Sequence, residues 1–190
     1  MMDVAKALRE GPYHLRNAED SKNRKIPNAD MLYFWENQVA AIDTYLADTE
    51  LLAPESGELK EMRGTLAGLK KDIERKIIEF EATAAGEQVP EDPPAEEMVA
   101  ILKEAGAEVL EVAREASKAT PKDVKGLRDW EEPLEMVNAF LADSEPFSAG
   151  DGELKKLRDA IRTERMKMVE TSDRIFRAWR EADMAGGADD

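Results

Sequence analysis

The chain falls on itself. Shifted by 95 positions, half of its 190 residues, the segment Trp35–Arg63 lies on Trp130–Arg158 without a gap and with 11 identities in 29 positions. Trp35-Glu36 meets Trp130-Glu131, Leu46-Ala47-Asp48 meets Leu141-Ala142-Asp143, and Tyr45 meets Phe140. Gly57-Glu58-Leu59-Lys60 meets Gly152-Glu153-Leu154-Lys155, and Arg63 meets Arg158. Unrelated stretches of that length share about two residues. The pattern reads as a tandem duplication of a roughly 95-residue unit, with residues 1–92 as the first repeat and 93–190 as the second. Whatever fold serves one half must then serve the other.

The apolar spacing says which fold. Leu32, Trp35, Val39, Ile42 and Leu46 recur at 3-4-3-4, and Leu127, Trp130, Leu134, Val137 and Leu141 repeat that spacing. This is the stripe of an amphipathic helix, and strict period-2 alternation is missing throughout. A further helix follows in each half, with Leu59, Met62, Leu66, Leu69, Ile73, Ile77 and Phe80 in the first copy. The second copy has Leu154, Leu157, Ile161, Met168 and Ile175, then Trp179. Ser56 and Asp151 stand where N-caps belong, and Asn28 or Asp30 could cap the helix before. Pro133 fits the first turn of a helix that begins near Asp129.

The opening helix is where the copies diverge. Met98, Leu102, Ala105, Val109, Val112 and Ala116 form a stripe, whereas the aligned positions are Asp3, Ala7, Glu10, His14, Asn17 and Ser21. With Gly11-Pro12 as a break, the expectation is an irregular polar N-terminal arm and five helices. Gly86–Pro94 reads as the linker and Ala185–Asp190 as a fraying tail. The predicted architecture is all-α, either one helical bundle or two packed bundles, related by a pseudo-twofold.

Composition narrows function mostly by exclusion. The net charge of −15 repels phosphate backbones and anionic headgroups, so neither direct nucleic-acid nor membrane binding is expected. The longest wholly apolar run, Met98–Leu102, is far short of the roughly 20 residues that span a bilayer. The N-terminus lacks an apolar signal region, and a cytoplasmic location is expected. With no cysteine there is no thiolate nucleophile or thiolate metal site, and the single His14 cannot supply the paired Glu-x-x-His ligands of a di-iron bundle. Starting a calcium loop at Asp143 puts Phe147, Ser148 and Leu154 at positions 5, 6 and 12, where an oxygen ligand, Gly and Glu are needed. Glu104, Glu108, Glu111 and Glu115 share one face of a helix and read as a solvated ridge. No catalytic, metal or cofactor site is expected.

Two groups of residues remain. Trp35, Tyr45, Trp130 and Phe140 recur at the repeat spacing, as core residues or as the lining of an apolar pocket; their place in or beside the stripe favours core. Met166, Val169, Phe176 and Trp179 spread apolar surface around the last helix, which therefore needs a second neighbour. That neighbour is either the other half of the chain or a protein partner, including a second copy. Gly64 and Gly68 sit inside a helix as a close-approach pair or as tolerated exposed residues. Lys22-Asn23-Arg24-Lys25 is a basic cluster, expected to be solvated or paired with acids. The expected function is a non-enzymatic protein–protein interaction or assembly protein. The alternatives are an acidic inhibitor that mimics DNA on a basic protein, and a carrier of an apolar small ligand between helices.

Overall fold

In a computed structural model of the chain, residues 2–26, 28–29 and 32–186 are described, the side chains of 183–186 excepted. Asp30, one of the two predicted caps, and the end of the predicted tail beyond Gly186 lie outside the described residues. The fold is all-helical, at 85% helix, and no strand occurs among the described residues. Two compact units divide the chain, Met1–Pro93 and Pro94–Asp190. The first holds α1 (Val4–Asn23), α2 (Leu32–Thr49) and α3 (Gly57–Ala85); the second holds α4 (Ala95–Lys118), α5 (Glu131–Ser144) and α6 (Gly152–Gly186).

Within each unit every helix packs on the other two. Side-chain bonds give the directions. Arg63, early in α3, reaches Leu46 and Thr49 at the end of α2, so those helices are antiparallel. Lys76, further along α3, donates to the carbonyls of Lys22 and Arg24 (the latter at 2.9 Å) at the end of α1, so α1 and α3 run the same way. In the second unit Trp130 Nε1, just before α5, donates to the Ala116 carbonyl near the end of α4 at 3.0 Å. Ser117, one residue on, donates to Glu164 of α6 at 2.9 Å. Both units are up-down-up three-helix bundles.

Local chemistry sets the helix ends. Ser56 Oγ accepts from the Leu59 amide at 3.2 Å, and Asp151 Oδ1 accepts from Leu154 at 2.8 Å. Each satisfies one of the amides that a helix start leaves without an intrahelical partner. A 3-10 segment, Gly126–Trp130, precedes α5, which places Pro133 in that helix's first turn. Gly86 ends α3 at φ 71°, a left-handed conformation that glycine adopts without Cβ strain. The predicted linker folds back from there, and Asp92 pairs with Lys71 at 3.0 Å and Arg75 at 3.5 Å.

The N-terminal arm is the main correction. Residues 4–23 form one continuous helix with Pro12 inside it, and the chain has six helices of more than ten residues among those described, where five were expected. Asp3 caps it through the Lys6 amide at 2.8 Å. The residue before Pro12 is Gly11, which has no Cβ to collide with the proline ring. Tyr45 Oη donates to the Ala7 carbonyl at 2.9 Å, one turn earlier. The packing face consists of Ala7, Gly11, half-buried His14 and Ala18, spaced 4-3-4. A search for bulky apolar residues passes over such a stripe.

The small residues are required by contact. A Cβ on Gly11 would overlap Met62 Sδ and lie 2.7 Å from Tyr45 Oη. A Cβ on Gly106 of α4 would stand 2.5 Å from Leu157 Cδ2 and 2.6 Å from Phe140 Cζ. Gly64 and Gly68 are exposed with open space where a Cβ would go, so no backbone approaches them.

Candidate functional site

The last helix of each unit carries cations inside its buried stripe. α3 buries Leu59, Arg63, Leu66, Lys70 and Ile73, and α6 buries Leu154, Arg158, Ile161, Arg165 and Met168. Arg63 donates to the Leu46 carbonyl and to Thr49 Oγ, and Arg158 donates to the Leu141 carbonyl at 2.5 Å and to Ser144 Oγ. Leu46 and Leu141 both lie in the last turn of their helices. The guanidinium donates to a last-turn carbonyl and places positive charge at the negative end of the helix dipole. One turn pair further on, Lys70 meets Asp43 at 2.6 Å and Glu74 at 3.2 Å, and Arg165 Nε donates to Asn138 Oδ1 at 2.6 Å. These enclosed groups tie the last helix of each unit to the helix before it.

The four recurring aromatics, Trp35, Tyr45, Trp130 and Phe140, are all buried core. Tyr45 also packs against His14, with ring centroids 4.9 Å apart and the planes tilted by 41°. Burial holds the His14 imidazole below its usual pKa, against a smaller opposing pull from Glu10, and burial likewise raises the Tyr45 phenol. A surface groove of about 360 Å³ lies between α4 and α6, lined by Lys103, Ala107, Leu110, Glu153, Lys156 and Leu157. Lys103 spans its rim to Asp151 at 2.8 Å and Glu153 at 3.0 Å, and these hydrogen bonds raise the lysine's pKa. None of the four aromatics lines this groove.

The second predicted group is divided by depth. Met166 and Val169 are half-buried, whereas Phe176 is 44% exposed and Trp179 55% exposed. The reason is where the core ends. Leu127, Trp130 and Met168 form a buried cluster, with Ala116, Leu134 and Ile175 packed against it. From Phe176 to Ala182 every residue of α6 is exposed, so the helix runs on beyond that layer without cover from its own bundle. Val169, Ser172, Phe176 and Trp179 share one side at 3-4-3 spacing; Met166 lies about a quarter-turn away from Phe176. On the edge of this face stand Asp173 and Arg180, a pair that the apolar pattern does not reveal.

Two seam and surface charges resolve as paired. Glu164, in line with the apolar seam of α6, accepts from Lys167 at 2.8 Å and from Ser117, and the Lys167 bond leads in holding its carboxyl below the ordinary range. Lys22 of the basic cluster pairs with Asp72 at 2.6 Å. Glu104, Glu108, Glu111 and Glu115 are all exposed along α4. Among the described residues no three His, Asp or Glu side chains gather as metal ligands would, and no helix is long and apolar enough to cross a membrane. No protein-family model, no curated protein and no solved structure matches the chain.

Proposed function

We propose that the chain is a tandem duplication of one three-helix unit and acts as a non-enzymatic protein–protein interaction or assembly protein, with the free end of α6 as its contact surface. The observation that carries the functional reading is the exposure of Phe176 and Trp179 on a helix that has outrun its own core. Large aromatic side chains left in water on a rigid helix are the residues that dominate binding energy when a partner covers them. Support for duplication comes from contacts at the 95-residue spacing. Gly11 with Tyr45 and Met62 matches Gly106 with Phe140 and Leu157, and the bonds of Arg63 match those of Arg158.

The test is a Phe176→Asp/Trp179→Asp double variant of the full chain. It is expected to melt at the wild-type temperature and to lose the associations, with itself or with other proteins, that the wild-type chain shows in light scattering and affinity capture. Association that survives the double change refutes the assignment to α6.

The exposed ridge on α4 favours one second reading, an acidic inhibitor that presents carboxylates in place of phosphates to a basic protein. Under that reading Glu104→Gln/Glu108→Gln/Glu111→Gln weakens capture of a basic nucleic-acid-binding protein, and the wild-type affinity falls steeply with salt.

A further inference from the structure

We infer that the end of the second unit from which α6 projects is a docking site for an acidic segment of another protein, one that carries apolar residues among its carboxylates. The inference rests on the reading of the α6 end as the contact surface and names the chemistry of the partner. Segments 118–128 and 174–180 hold seven cations and a single carboxylate, Asp123, in a chain of net charge −15. Both segments belong to one end of the bundle. Ser117, near the end of α4, bonds to Glu164 of α6, and further along α6 Ile175 packs on the cluster of Leu127, Trp130 and Met168. The connection from α4 to α5 and the projecting turns of α6 therefore share that end.

The charges at this end are uncommitted. Lys118, Lys122, Lys125 and Arg128 are exposed around the connection, as are Arg174 and Arg180 on α6, and no carboxylate among the described residues pairs with any of them. By contrast Lys22, Lys71, Lys103 and Lys167 each hold one. Asp123 accepts from the Gly126 amide at 2.9 Å. Arg177 donates to the Asp173 carbonyl at 3.3 Å, and Asp173 is engaged within its own chain, so the site is built from the other cations. Among them stand the exposed rings of Phe176 and Trp179. A single exposed ion pair adds little affinity and mainly sets orientation and encounter rate, whereas a covered aromatic supplies much of the binding energy. The occupant must offer apolar groups to the two rings and carboxylates to the cations around them.

Size selects its class. Asp129, Glu131 and Glu132 around the start of α5, with Glu170 and Glu181 on α6, are exposed and border the cationic patch. At physiological ionic strength a charge is felt over about 8 Å. A peptide segment with a few acids fits inside that border and leaves the rest of the acidic chain screened. A nucleic-acid strand or an anionic bilayer, charged along its whole extent, crosses the border and meets the carboxylates.

The test is fluorescence anisotropy of the full chain with a short labelled peptide in which Glu and Asp alternate with Leu and Phe. Saturable binding that weakens as salt rises is expected. Lys122→Glu/Lys125→Glu and Arg174→Glu/Arg180→Glu are each expected to weaken it about tenfold, and Trp179→Ala about thirtyfold. Lys155→Glu/Lys156→Glu, which changes exposed cations near the start of α6, is expected to change it by about twofold at most. Peptides with Gln in place of the acids, or Ser in place of Leu and Phe, are expected to bind about tenfold more weakly. Circular dichroism melts check that the variants fold as the wild type does. No binding of the acidic peptide, or losses no larger than that of the Lys155/Lys156 variant, overturns the inference. Tighter binding of a single-stranded oligonucleotide or of phosphatidylserine vesicles through the same cations overturns the protein occupant. Binding that needs Phe176 and Trp179 but ignores the cations overturns the acidic partner and leaves the α6 end as a contact surface. Binding that the Phe176→Asp/Trp179→Asp chain retains in full removes that surface, and the inference with it.

Discussion

Arg158, 1% exposed, donates to the hydroxyl of Ser144, which itself donates to the Phe140 carbonyl at 2.5 Å. The guanidinium thus ties α6 to the last turn of α5 through a chain of bonds that ends on the backbone. Hydrogen bonds to a charged group contribute about 1.5–3 kcal/mol each, and removing the donor also strands buried acceptors. Arg158→Ala is therefore expected to lower unfolding free energy by about 3–5 kcal/mol, measured by urea denaturation of the second unit. Arg158→Met, which keeps the stem volume but not the bonds, loses less. A cost under about 1 kcal/mol for the alanine variant would show that Ser144 and Leu141 are satisfied without it.

Glycine to alanine separates the two classes of helical glycine. At Gly64 the Cβ meets nothing within 4 Å, so Gly64→Ala gains the helix preference of alanine, about 1 kcal/mol. At Gly106 the same methyl enters the ring of Phe140 and the side chain of Leu157. Overpacking of that kind costs about 1–3 kcal/mol and outweighs the gain, so Gly106→Ala is expected to melt lower than wild type while Gly64→Ala melts higher. Melting shifts of the same sign for both would refute this reading.

Much of the fold was legible because α2, α3, α5 and α6 use bulky apolar residues at helical spacing, and the period needs no further information. α1 was missed because its buried face is alanine, glycine and one histidine, and small residues pack only where a neighbouring helix comes close. That closeness is a tertiary fact. The buried cations were half visible: Arg63 and Arg158 align as identities, and Lys70 and Arg165 fall seven residues later on the same stripe. An apolar template discards such residues, whereas asking which charges share the seam would have found them. The exposure of Phe176 and Trp179 depends on where α4 ends and α5 begins. Helix pattern alone shows that α6 is apolar on several sides, not which side is left open.

His14 gives the first unit a specific pH response. Burial favours its neutral form, so its pKa in the folded chain lies below the ordinary 6.5. The unfolded chain then binds the proton more readily, and stability falls as the pH drops. The contribution is complete above about pH 6.5 and is lost below it, down to the depressed folded value. Between pH 7.5 and 5.5, where most carboxylates stay ionised, the first unit is expected to lose melting temperature on acidification. His14→Gln should flatten that slope, since the chain has no other histidine. An unchanged slope would place the titrating group elsewhere.

Trp130 and Trp179 carry the same side chain into opposite circumstances. Trp130 is 3% exposed, packs with Leu127 and Met168, and spends its indole N–H on the Ala116 carbonyl at 3.0 Å. Truncating it leaves a cavity and an unpaired acceptor, and Trp130→Ala is expected to cost about 3–5 kcal/mol. Trp179 is 55% exposed, so Trp179→Ala should move stability by no more than about 0.5 kcal/mol, within the range of ordinary surface changes. Its effect should appear in association, where a central aromatic anchor commonly accounts for 2 kcal/mol or more, about thirtyfold in Kd. Chemical denaturation and light scattering on the two variants read the two quantities independently. A Trp179→Ala chain that loses folding stability but associates as before would place the ring in a core contact and remove the end of α6 from the interface.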